Sequence, residues 1–278
     1  MQTLRLGFIG GGNMSRSLVG GLLTNAWPAS TLHIADPDPA QRDRVQALNP
    51  ALHVHPDGQQ IAANVDVVVL AVKPQVLQQV ARSIRGGVQT HRPLIVSIAA
   101  GVRSADIERW LGGDLPIVRC MPNTPALVMS GATGLFANPS VSHEQREIAE
   151  RLMRSVGITI WVSEERQLDA VTALSGSGPA YVFLVLEALQ HGAEGLGLTP
   201  EAARLLALQT VAGAAKLALE SNETPAELRE RVTSKGGTTE RALAEFNAGD
   251  LVGLFARAMH AAAARADELA EQLGVDIV

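Results

Sequence analysis

Short apolar runs alternate with amphipathic stretches from residue 4 to about residue 160, and this rhythm constrains the fold of the chain most strongly. Each run is rich in β-branched residues and lacks polar alternation, whereas helical periodicity fills the segments between runs. Such a pattern is typical of a parallel sheet with helices on both faces. The predicted strands are residues 4–9, 31–35, 66–72, 94–98, 117–121, 131–137 and 158–162.

After residue 163 the pattern changes to consecutive helices, and no further strand is predicted. Two helix starts carry a Thr cap followed by Pro, at Thr199-Pro200 and Thr224-Pro225. Because 278 residues exceed the usual size of one domain, we predict two domains. They are a doubly wound, mainly parallel α/β domain over residues 1–163 and an all-α domain over residues 164–278.

The helices of the second predicted domain are rich in alanine and present small apolar faces. Small residues let helix backbones approach closely, and a modest helical domain has more such surface than it can bury alone. We therefore expect a homodimer, or an assembly of dimers, that forms through the C-terminal helices.

Composition limits the classes of function that fit this chain. The formal net charge is −5 and 3% of residues are aromatic, whereas nucleic-acid-binding surfaces combine basic stripes with aromatics. The single cysteine, Cys120, permits no intrachain disulfide, and we expect it to be a small buried hydrophobe. The chain enters a strand pattern at once, and its apolar runs are shorter than the roughly 20 residues of a membrane helix. We expect a cytoplasmic protein without nucleic acid, membrane span or metal.

A glycine-rich turn follows the first predicted strand and opens the first helix, in the order Gly7-Phe8-Ile9-Gly10-Gly11-Gly12-Asn13-Met14-Ser15. Gly10 allows a tight turn, Gly12 lets the backbone approach a pyrophosphate, and Ser15 lets the helix lie close to the strand. Free N–H groups at the helix start would face the phosphates. A glycine turn without a ligand is the alternative, but the position in the first βαβ unit favours a Rossmann-type dinucleotide site. Its predicted residues are Ile9, Gly10, Gly11, Gly12, Asn13 and Met14.

Asp36 ends the second predicted strand, where a carboxylate that binds the cofactor ribose belongs. A carboxylate accepts hydrogen bonds from a free 2′-hydroxyl and repels a 2′-phosphate, so Asp36 favours NADH. Arg42 and Arg44 follow closely and offer a possible phosphate clamp, although all three residues also fit a solvated loop and helix face. The sequence leaves NADPH and NADH both open.

Two further strand ends are expected to line the nicotinamide ribose, because ligands bind at the carboxyl ends of strands in doubly wound sheets. Lys73 also fits another role, in which its apolar stem packs at the strand end and its ammonium group stays in solvent. The predicted residues are Ala71, Val72, Lys73 and Pro74 after one strand, and Ile98, Ala99 and Ala100 after the next.

Six segments together resemble the pyrroline-5-carboxylate reductase family, whose members complete proline biosynthesis. The likeness covers nearly the whole chain and keeps the order and spacing of the family. It implies reduction of a carboxylated cyclic imine to L-proline with NADPH or NADH. The segments are residues 8–14, 71–74, 97–101, 121–125, 175–181 and 233–239.

The resemblance assigns roles in the last segment: Ser234, Gly237 and Thr238 hold the substrate carboxylate, and the Thr239 hydroxyl is the catalytic group at the ring nitrogen. The chemistry agrees, because this loop runs into a predicted helix over residues 240–246. Free backbone N–H groups and the positive end of the helix dipole hold a carboxylate without any arginine. A simple helix cap is the alternative reading of the loop.

Two positions depart from the family pattern. Many members carry Pro where this chain has Lys235, which adds a charge near the expected carboxylate site. Relatives that prefer NADPH tend to have a small polar residue at the place of Asp36.

Two other functions fit a dinucleotide fold. A β-hydroxyacid dehydrogenase needs a lysine on the first helix after the Rossmann domain, and the predicted helix over residues 180–195 contains none. A non-catalytic dinucleotide-binding regulator would have no use for the substrate loop.

Overall fold

The computed structural model describes residues 4–275 and contains one eight-stranded sheet. Its strands are β1 Leu6–Ile9, β2 Leu32–Ala35, β3 His53–His55, β4 Val67–Leu70, β5 Leu94–Ser97, β6 Ile117–Met121, β7 Gly131–Ala137 and β8 Gly157–Trp161. They lie in the order β3-β2-β1-β4-β5-β6-β7-β8. Neighbouring strands are parallel except for β6 and β7. The predicted mainly parallel α/β architecture is confirmed.

Helices connect the strands as far as β8 and then follow one another. The connecting helices are α1 Asn13–Thr24, α2 Pro39–Gln46, α3 Gln59–Ala62, α4 Pro74–His91, α5 Ser104–Leu111 and α6 His143–Arg154. The later helices are α7 Gln167–Val171, α8 Gly178–Gly195, α9 Pro200–Glu220, α10 Pro225–Arg231, α11 Thr238–Ala248 and α12 Leu251–Leu273. A π-helical turn, Thr172–Gly176, follows α7.

Two hydrophobic cores lie on the two faces of the sheet. On one face Phe8 of β1 belongs to the same core as Leu18 of α1. On the other, Leu70 of β4 belongs to the core that contains Leu77 of α4 and Ile107 of α5. Every residue of β1 and β4 is buried, which explains why these runs show no polar alternation.

Two strands differ from the expected pattern. The edge strand β3 was not predicted, because three residues with histidines at both ends form no apolar run. The predicted strand over residues 131–137 exists as β7 but runs antiparallel to β6, since the short helix Thr124–Val128 reverses the chain between them.

The chain divides into two compact units: residues up to Ser177 together with those from Ala261 onward, and Gly178–His260. The end of α12 belongs to the first unit because it is fastened there. Ala266 and Ala270 are buried, and the Asp267 carboxylate lies 2.7 Å from an Arg103 guanidinium nitrogen. These units do not coincide with the predicted boundary at 163/164, and the roles assigned to the two domains stay a prediction.

The second unit is helical, and its helix starts follow the sequence signals. The Thr199 hydroxyl accepts a hydrogen bond from Ala202 N, and Thr224 forms a reciprocal capping box with Glu227. Since α8 contains no buried residue, most of its apolar surface is uncovered in the single chain.

Two helical stretches pass a length and hydropathy test for membrane helices, Gln167–Gly195 and Pro200–Glu220, each with a mean hydropathy of 1.3. The helices are longer than the apolar runs visible in the sequence, because small and polar residues interrupt those runs without ending the helix. Interface helices of soluble oligomers can be equally apolar. The expectation that this chain does not involve a membrane therefore stays a prediction.

Candidate active site

The carboxyl ends of four neighbouring parallel strands lie in one row, formed by Ile9, Ala35, Leu70 and Ser97. The chain passes from β1 to β2 on one side and later reaches β4 on the other side of β1. In doubly wound sheets the ligand crevice opens where the strand order reverses in this way. Each segment predicted to bind the cofactor begins at this row.

Gly10 forms the tight turn after β1, as predicted. Its φ is +108°, and a Cβ atom added there would lie 2.5 Å from the carbonyl oxygen of Ala71. Its N–H donates to the Ala35 carbonyl at 2.7 Å, so the turn is fixed against both neighbouring strands. Ser15 is buried and its hydroxyl donates to the Gly10 carbonyl, which holds α1 close to the turn.

Gly12 has a different environment from Gly10. It precedes α1 with φ −67° and ψ −175°, an extended backbone that any residue adopts, and an added Cβ would meet nothing within 4 Å. Among the described residues, no protein acceptor pairs with the backbone N–H groups of Asn13, Met14 or Ser15. Open space beside free donors at a helix start suits a pyrophosphate.

Arg16 supports this turn, although the sequence analysis did not single it out. Its Nη1 donates to the Gly11 carbonyl at 3.0 Å and to Gln41 Oε1 at 2.6 Å, and its Nη2 donates to Asn13. A fixed guanidinium beside the helix start adds positive charge where phosphates are expected. The available signal was an arginine in the first turn of the helix that follows the glycines.

The Asp36 carboxylate lies against the glycine-rich turn. Its Oδ2 accepts from Gly11 N at 2.7 Å, and its Oδ1 accepts from Asp38 N at 2.9 Å. Each oxygen keeps further acceptor capacity, because a carboxylate accepts about four hydrogen bonds. This pairing brings the loop after β2 to the dinucleotide turn, and the contact of Asp36 with the ribose stays a prediction.

Arg42 is engaged with the backbone of the same loop. Its Nη1 donates to the carbonyls of Asp36 and Pro37, both at 2.9 Å. Arg44 is exposed. The guanidinium of Arg42 therefore braces the loop that carries Asp36, and its Nη1 is not free for a 2′-phosphate.

The other two predicted segments differ in how much side chain they present. Ala71 and Val72 are half-buried after β4, and the exposed Lys73 precedes Pro74, the first residue of α4. After β5, Ile98 is half-buried and Ala100 is exposed, whereas Ala99 belongs to the core at 5% exposure. The Ala99 N–H donates to the Ser97 hydroxyl at 3.4 Å, so its predicted cofactor contact stays a prediction.

Asn123 ties the end of β6 to the π-helical turn. Its amide nitrogen donates to the Ser175 carbonyl at 3.0 Å, and its Oδ1 accepts from Ala132 N at 2.9 Å. Close packing continues next to it, because a Cβ on Gly176 would lie 2.7 Å from the Met121 methyl carbon. π-Helical turns are frequent at functional sites. The two motifs quoted for their family likeness are therefore joined in space.

The predicted substrate loop, Ser234–Thr239, lies in the second unit and leads into α11. Gly236 has φ +73°, and Gly237 precedes the helix without a side-chain cap. Among the described residues, no protein acceptor pairs with the N–H groups of Thr238 or Thr239, and no bond engages the Ser234, Thr238 and Thr239 hydroxyls. Free donors and hydroxyls at the start of an 11-residue helix favour a carboxylate ligand.

Two contacts reduce the donors that this loop offers. Gly237 N donates to the Ser234 carbonyl at 3.0 Å, and Gly236 N donates to Glu240 Oε2 at 2.6 Å. The N–H of Gly237 is thus engaged within the loop, and its role in holding the carboxylate stays a prediction. Lys235 is exposed, so its charge can offset that of Glu240 when an anion binds.

A separate cavity of about 300 Å³ in the first unit is lined by charged groups that largely pair with one another. The nearly buried Arg119 guanidinium lies 2.7 Å from Glu165, whose carboxylate also accepts from the backbone and hydroxyl of Ser104. Burial raises the pKa of Asp169.

Cys120 is buried and burial raises the pKa of its thiol, as expected of a core residue. Within residues 4–275, no group of three or more His, Cys, Asp or Glu side chains is placed to hold a metal ion.

Comparisons with known proteins agree along the whole chain. A family model described as pyrroline-5-carboxylate reductase dimerisation matches residues 165–269, and one described as NADP oxidoreductase, coenzyme F420-dependent, matches residues 5–101. A pyrroline-5-carboxylate reductase of Pseudomonas aeruginosa is 49% identical over 274 residues, which cover 99% of this chain and 100% of the relative. The chain belongs to the pyrroline-5-carboxylate reductase family.

Solved structures of this family share the fold. A pyrroline-5-carboxylate reductase from Coxiella burnetii has a TM-score of 0.92 at 47% identity and covers 96% of this chain and 99% of its own. A Plasmodium falciparum pyrroline carboxylate reductase with NADP bound has a TM-score of 0.85 at 28% identity, covering 97% and 99%. The resemblance, the fold class and the NAD(P) cofactor class predicted from the sequence are confirmed.

Proposed function

We propose that this chain reduces 1-pyrroline-5-carboxylate to L-proline by hydride transfer from NAD(P)H. The observation that carries the proposal is 49% identity to a pyrroline-5-carboxylate reductase over 99% of the chain. A β-hydroxyacid dehydrogenase would need a catalytic lysine after the Rossmann domain, and a non-catalytic regulator would not need a substrate-binding loop. Helix α8 contains no lysine, and the loop before α11 offers free donors.

The first unit carries the groups that would hold the cofactor. The free N–H groups at the start of α1 and the Arg16 guanidinium suit the pyrophosphate, and the open space beside Gly12 leaves room for it. Asp36 would accept from a ribose hydroxyl. When bound, NADPH or NADH supplies the hydride, and the protein's task is to orient it and to exclude competing reactions.

The loop before α11 would bind the carboxylate of the imine. The hydroxyls of Ser234 and Thr238 and the N–H groups of Thr238 and Thr239 are available donors. They need no cation, because the helix dipole and oriented amides already favour an anion. Gly236, with φ +73°, contributes the bend before these donors, and Gly237 leads into the helix.

Thr239 would hold the ring nitrogen. Its hydroxyl is half-buried and has no hydrogen-bond partner among the described residues, so it is available to the N–H of the iminium and of the product amine. A positioned hydroxyl of this kind orients the ring and stabilises the charge change at nitrogen. No strongly shifted acid or base is required.

NADH is the cofactor that the ribose site favours. Asp36 places a negative charge where NADPH would bring a 2′-phosphate, and the Arg42 Nη1 is occupied by two backbone carbonyls. Repulsion by the Asp36 carboxylate disfavours the phosphate.

A second copy of this chain is the partner that the helical unit favours. Apolar side chains exposed on α8 and α9 are too extensive for a stable monomer surface, and the matched dimerisation model spans both helices. They include Phe183, Leu184, Leu205 and Leu206, which are 55–67% exposed in the single chain. Burial between subunits explains the membrane-like hydropathy without a lipid phase. Leu205→Asp should reduce the molar mass measured by light scattering to that of one chain, whereas Leu48→Asp, a matched exposed leucine of the first unit, should not.

The assay of the reaction follows NAD(P)H absorbance after addition of 1-pyrroline-5-carboxylate, with a β-hydroxy acid and NAD⁺ as the comparison. Turnover with the imine and none with the hydroxy acid supports the proposal. Oxidation of the hydroxy acid with no reduction of the imine would establish the dehydrogenase instead, and absence of both reactions would favour the regulator.

A further inference from the structure

Three histidines cover one face of the sheet edge next to the loop that carries Asp36. His33 of β2 is in register with His53 of β3, and His55 follows on the same face two residues later. The His33 ring stacks on His53 at 4.6 Å between centroids and on His55 at 5.7 Å, with interplanar angles of 14° and 19°. We call these residues the histidine cluster.

The contact between His33 and His55 favours a neutral pair of rings, and a second contact fixes the orientation of His53. His33 Nδ1 lies 3.5 Å from His55 Nε2, and a bond between two imidazoles needs one N–H and one bare nitrogen. His53 Nε2 lies 3.1 Å from the Ser30 carbonyl, which only accepts, so this nitrogen carries the proton. Protonation of the bare nitrogen between His33 and His55 would remove their bond and place like charges in a ring stack.

The surroundings oppose protonation. Burial and the neighbouring His53, His55 and Arg5 lower the pKa of His33 to about 4, and burial and His53 lower the pKa of His55. Arg5 is the cation that faces the cluster from the start of β1, and it is itself 3.8 Å from Asp66, which His91 approaches at 4.0 Å. On the opposite face, α2 packs through Val45 in the core that contains Leu32 and Ile34.

The cluster is connected to the cofactor loop through the backbone of β3. The Asp36 N–H donates to the His55 carbonyl at 3.1 Å, and the Asp36 carboxylate then accepts from Gly11 N. β3 is an edge strand of three residues that pairs only with β2. Besides its pairing with β2, the strand is held by Val54, which packs against the core on the opposite face.

We propose that the histidine cluster positions Asp36 for the cofactor ribose and makes cofactor affinity sensitive to acid. In the neutral state the stacked rings keep β3 on β2, and the His55 carbonyl keeps Asp36 at the dinucleotide turn. When His33 and His55 take up protons, repulsion within the ring stack weakens the pairing of β3 with β2 and with it the backbone anchor of Asp36. The inference rests on the proposed cofactor site and adds to it a group of positioning residues.

The direction of the pH effect follows from proton linkage. A histidine whose pKa is lower in the ordered state than in the disordered state binds fewer protons when β3 is docked. Docking is therefore fully favoured above the ordinary histidine pKa, about 6.5, and is lost as the pH falls towards 4. Since the rings are half-exposed and solvent screens their repulsion, we expect the NAD⁺ dissociation constant to rise roughly 3- to 10-fold between pH 7.5 and pH 5.

The test measures NAD⁺ binding by calorimetry at pH 7.5 and pH 5, because NAD⁺ survives acid and binding needs no turnover. Wild type should lose affinity at pH 5, and the double variant His33→Gln/His55→Gln should bind equally at both values. His143→Gln, which removes an 89% exposed histidine of α6, should behave like wild type. Equal loss of affinity in wild type and the double variant would overturn the proposal.

Two measurements keep the test decisive if the double variant folds poorly. The His33 ring in wild type should titrate below pH 6 by NMR, with the same midpoint as the loss of NAD⁺ affinity, and a midpoint above pH 6 would contradict the inference. Imine reduction at pH 7.5 is measured on the same wild-type preparation. Failure of that reaction would refute the proposed function, whereas normal reduction with pH-independent NAD⁺ affinity would refute only the role of the histidine cluster.

Discussion

Two glycines of the dinucleotide turn have different functions: Gly10 is needed for the fold of the turn, and Gly12 is expected to leave room for the ligand. Replacing each with alanine tests the cofactor site directly. At Gly10 the added methyl would lie 2.5 Å from a carbonyl oxygen in a backbone with φ +108°. At Gly12 it would meet no protein atom within 4 Å in an ordinary extended backbone. The two substitutions are identical in chemistry and two residues apart, so each serves as the control of the other.

We expect Gly10→Ala to reduce the stability of the fold and Gly12→Ala to reduce the affinity for the cofactor. A side chain at a left-handed position costs about 1–3 kcal/mol, and displacing the Ala71 carbonyl adds to this cost. Because about 1 kcal/mol corresponds to roughly 2–4 °C in a domain of 150–250 residues, Gly10→Ala should lower Tm by several degrees or more without any cofactor. Gly12→Ala should leave that Tm unchanged, but its methyl should keep the pyrophosphate from one backbone N–H, a loss of about 1.5–3 kcal/mol or roughly 10- to 150-fold in affinity.

Thermal unfolding of the cofactor-free protein and NAD⁺ binding by calorimetry measure the two effects separately. Gly10→Ala should change both quantities, and Gly12→Ala should change only binding. If Gly12→Ala binds NAD⁺ within twofold of wild type, the pyrophosphate does not approach this backbone and the assignment of the turn is wrong.

Three further substitutions test other parts of the site. Thr239→Ala should lower kcat/KM by roughly 10- to 1000-fold, about one transition-state hydrogen bond; Thr239→Ser should recover most of the loss, and wild-type kinetics of the alanine variant would remove Thr239 from the mechanism. Thr233→Ala is the matched control, because that hydroxyl already donates to a backbone carbonyl. Asp36→Ser should raise kcat/KM for NADPH relative to NADH by at least tenfold, and an unchanged ratio would show that Asp36 does not select the cofactor. Glu165→Gln should destabilise the fold by about 2–4 kcal/mol in denaturant unfolding, since it leaves the buried Arg119 guanidinium without its anion; an unchanged midpoint would contradict that.

The sequence predicted the regular elements well where one physical rule decided them. The run over residues 117–121 became β6 with the same bounds, because a short apolar stretch between helical segments is typical of a buried strand. Thr224 and Glu227 marked the start of α10 because their capping box is a local interaction. Gly10 was interpreted correctly for the same reason: the tight turn is set by its own φ.

The sequence proposed which segments form the site, and the contacts among those segments depended on the packing of distant parts of the chain. Asp36 was expected near the cofactor from spacing alone, but its pairing with Gly11 and the commitment of Arg42 to backbone carbonyls came from loop packing. Gly237 was predicted to hold the substrate, whereas its N–H is engaged with Ser234. The link from Asn123 to Ser175 joins residues 52 positions apart and has no signature in either segment.

By itself, the sequence determined the βαβ order, the glycine turn and the helix caps, because each follows from periodicity or from the conformation of one or two residues. Only the tertiary structure decided the edge strand His53–His55, the stacking of its histidines on His33 and its bond to Asp36. An apolar face can be buried against any apolar neighbour, so the hydrophobic pattern of the sequence is enough to predict its burial. A polar group needs one particular partner at one distance, and the packing of the whole chain determines which partner that is.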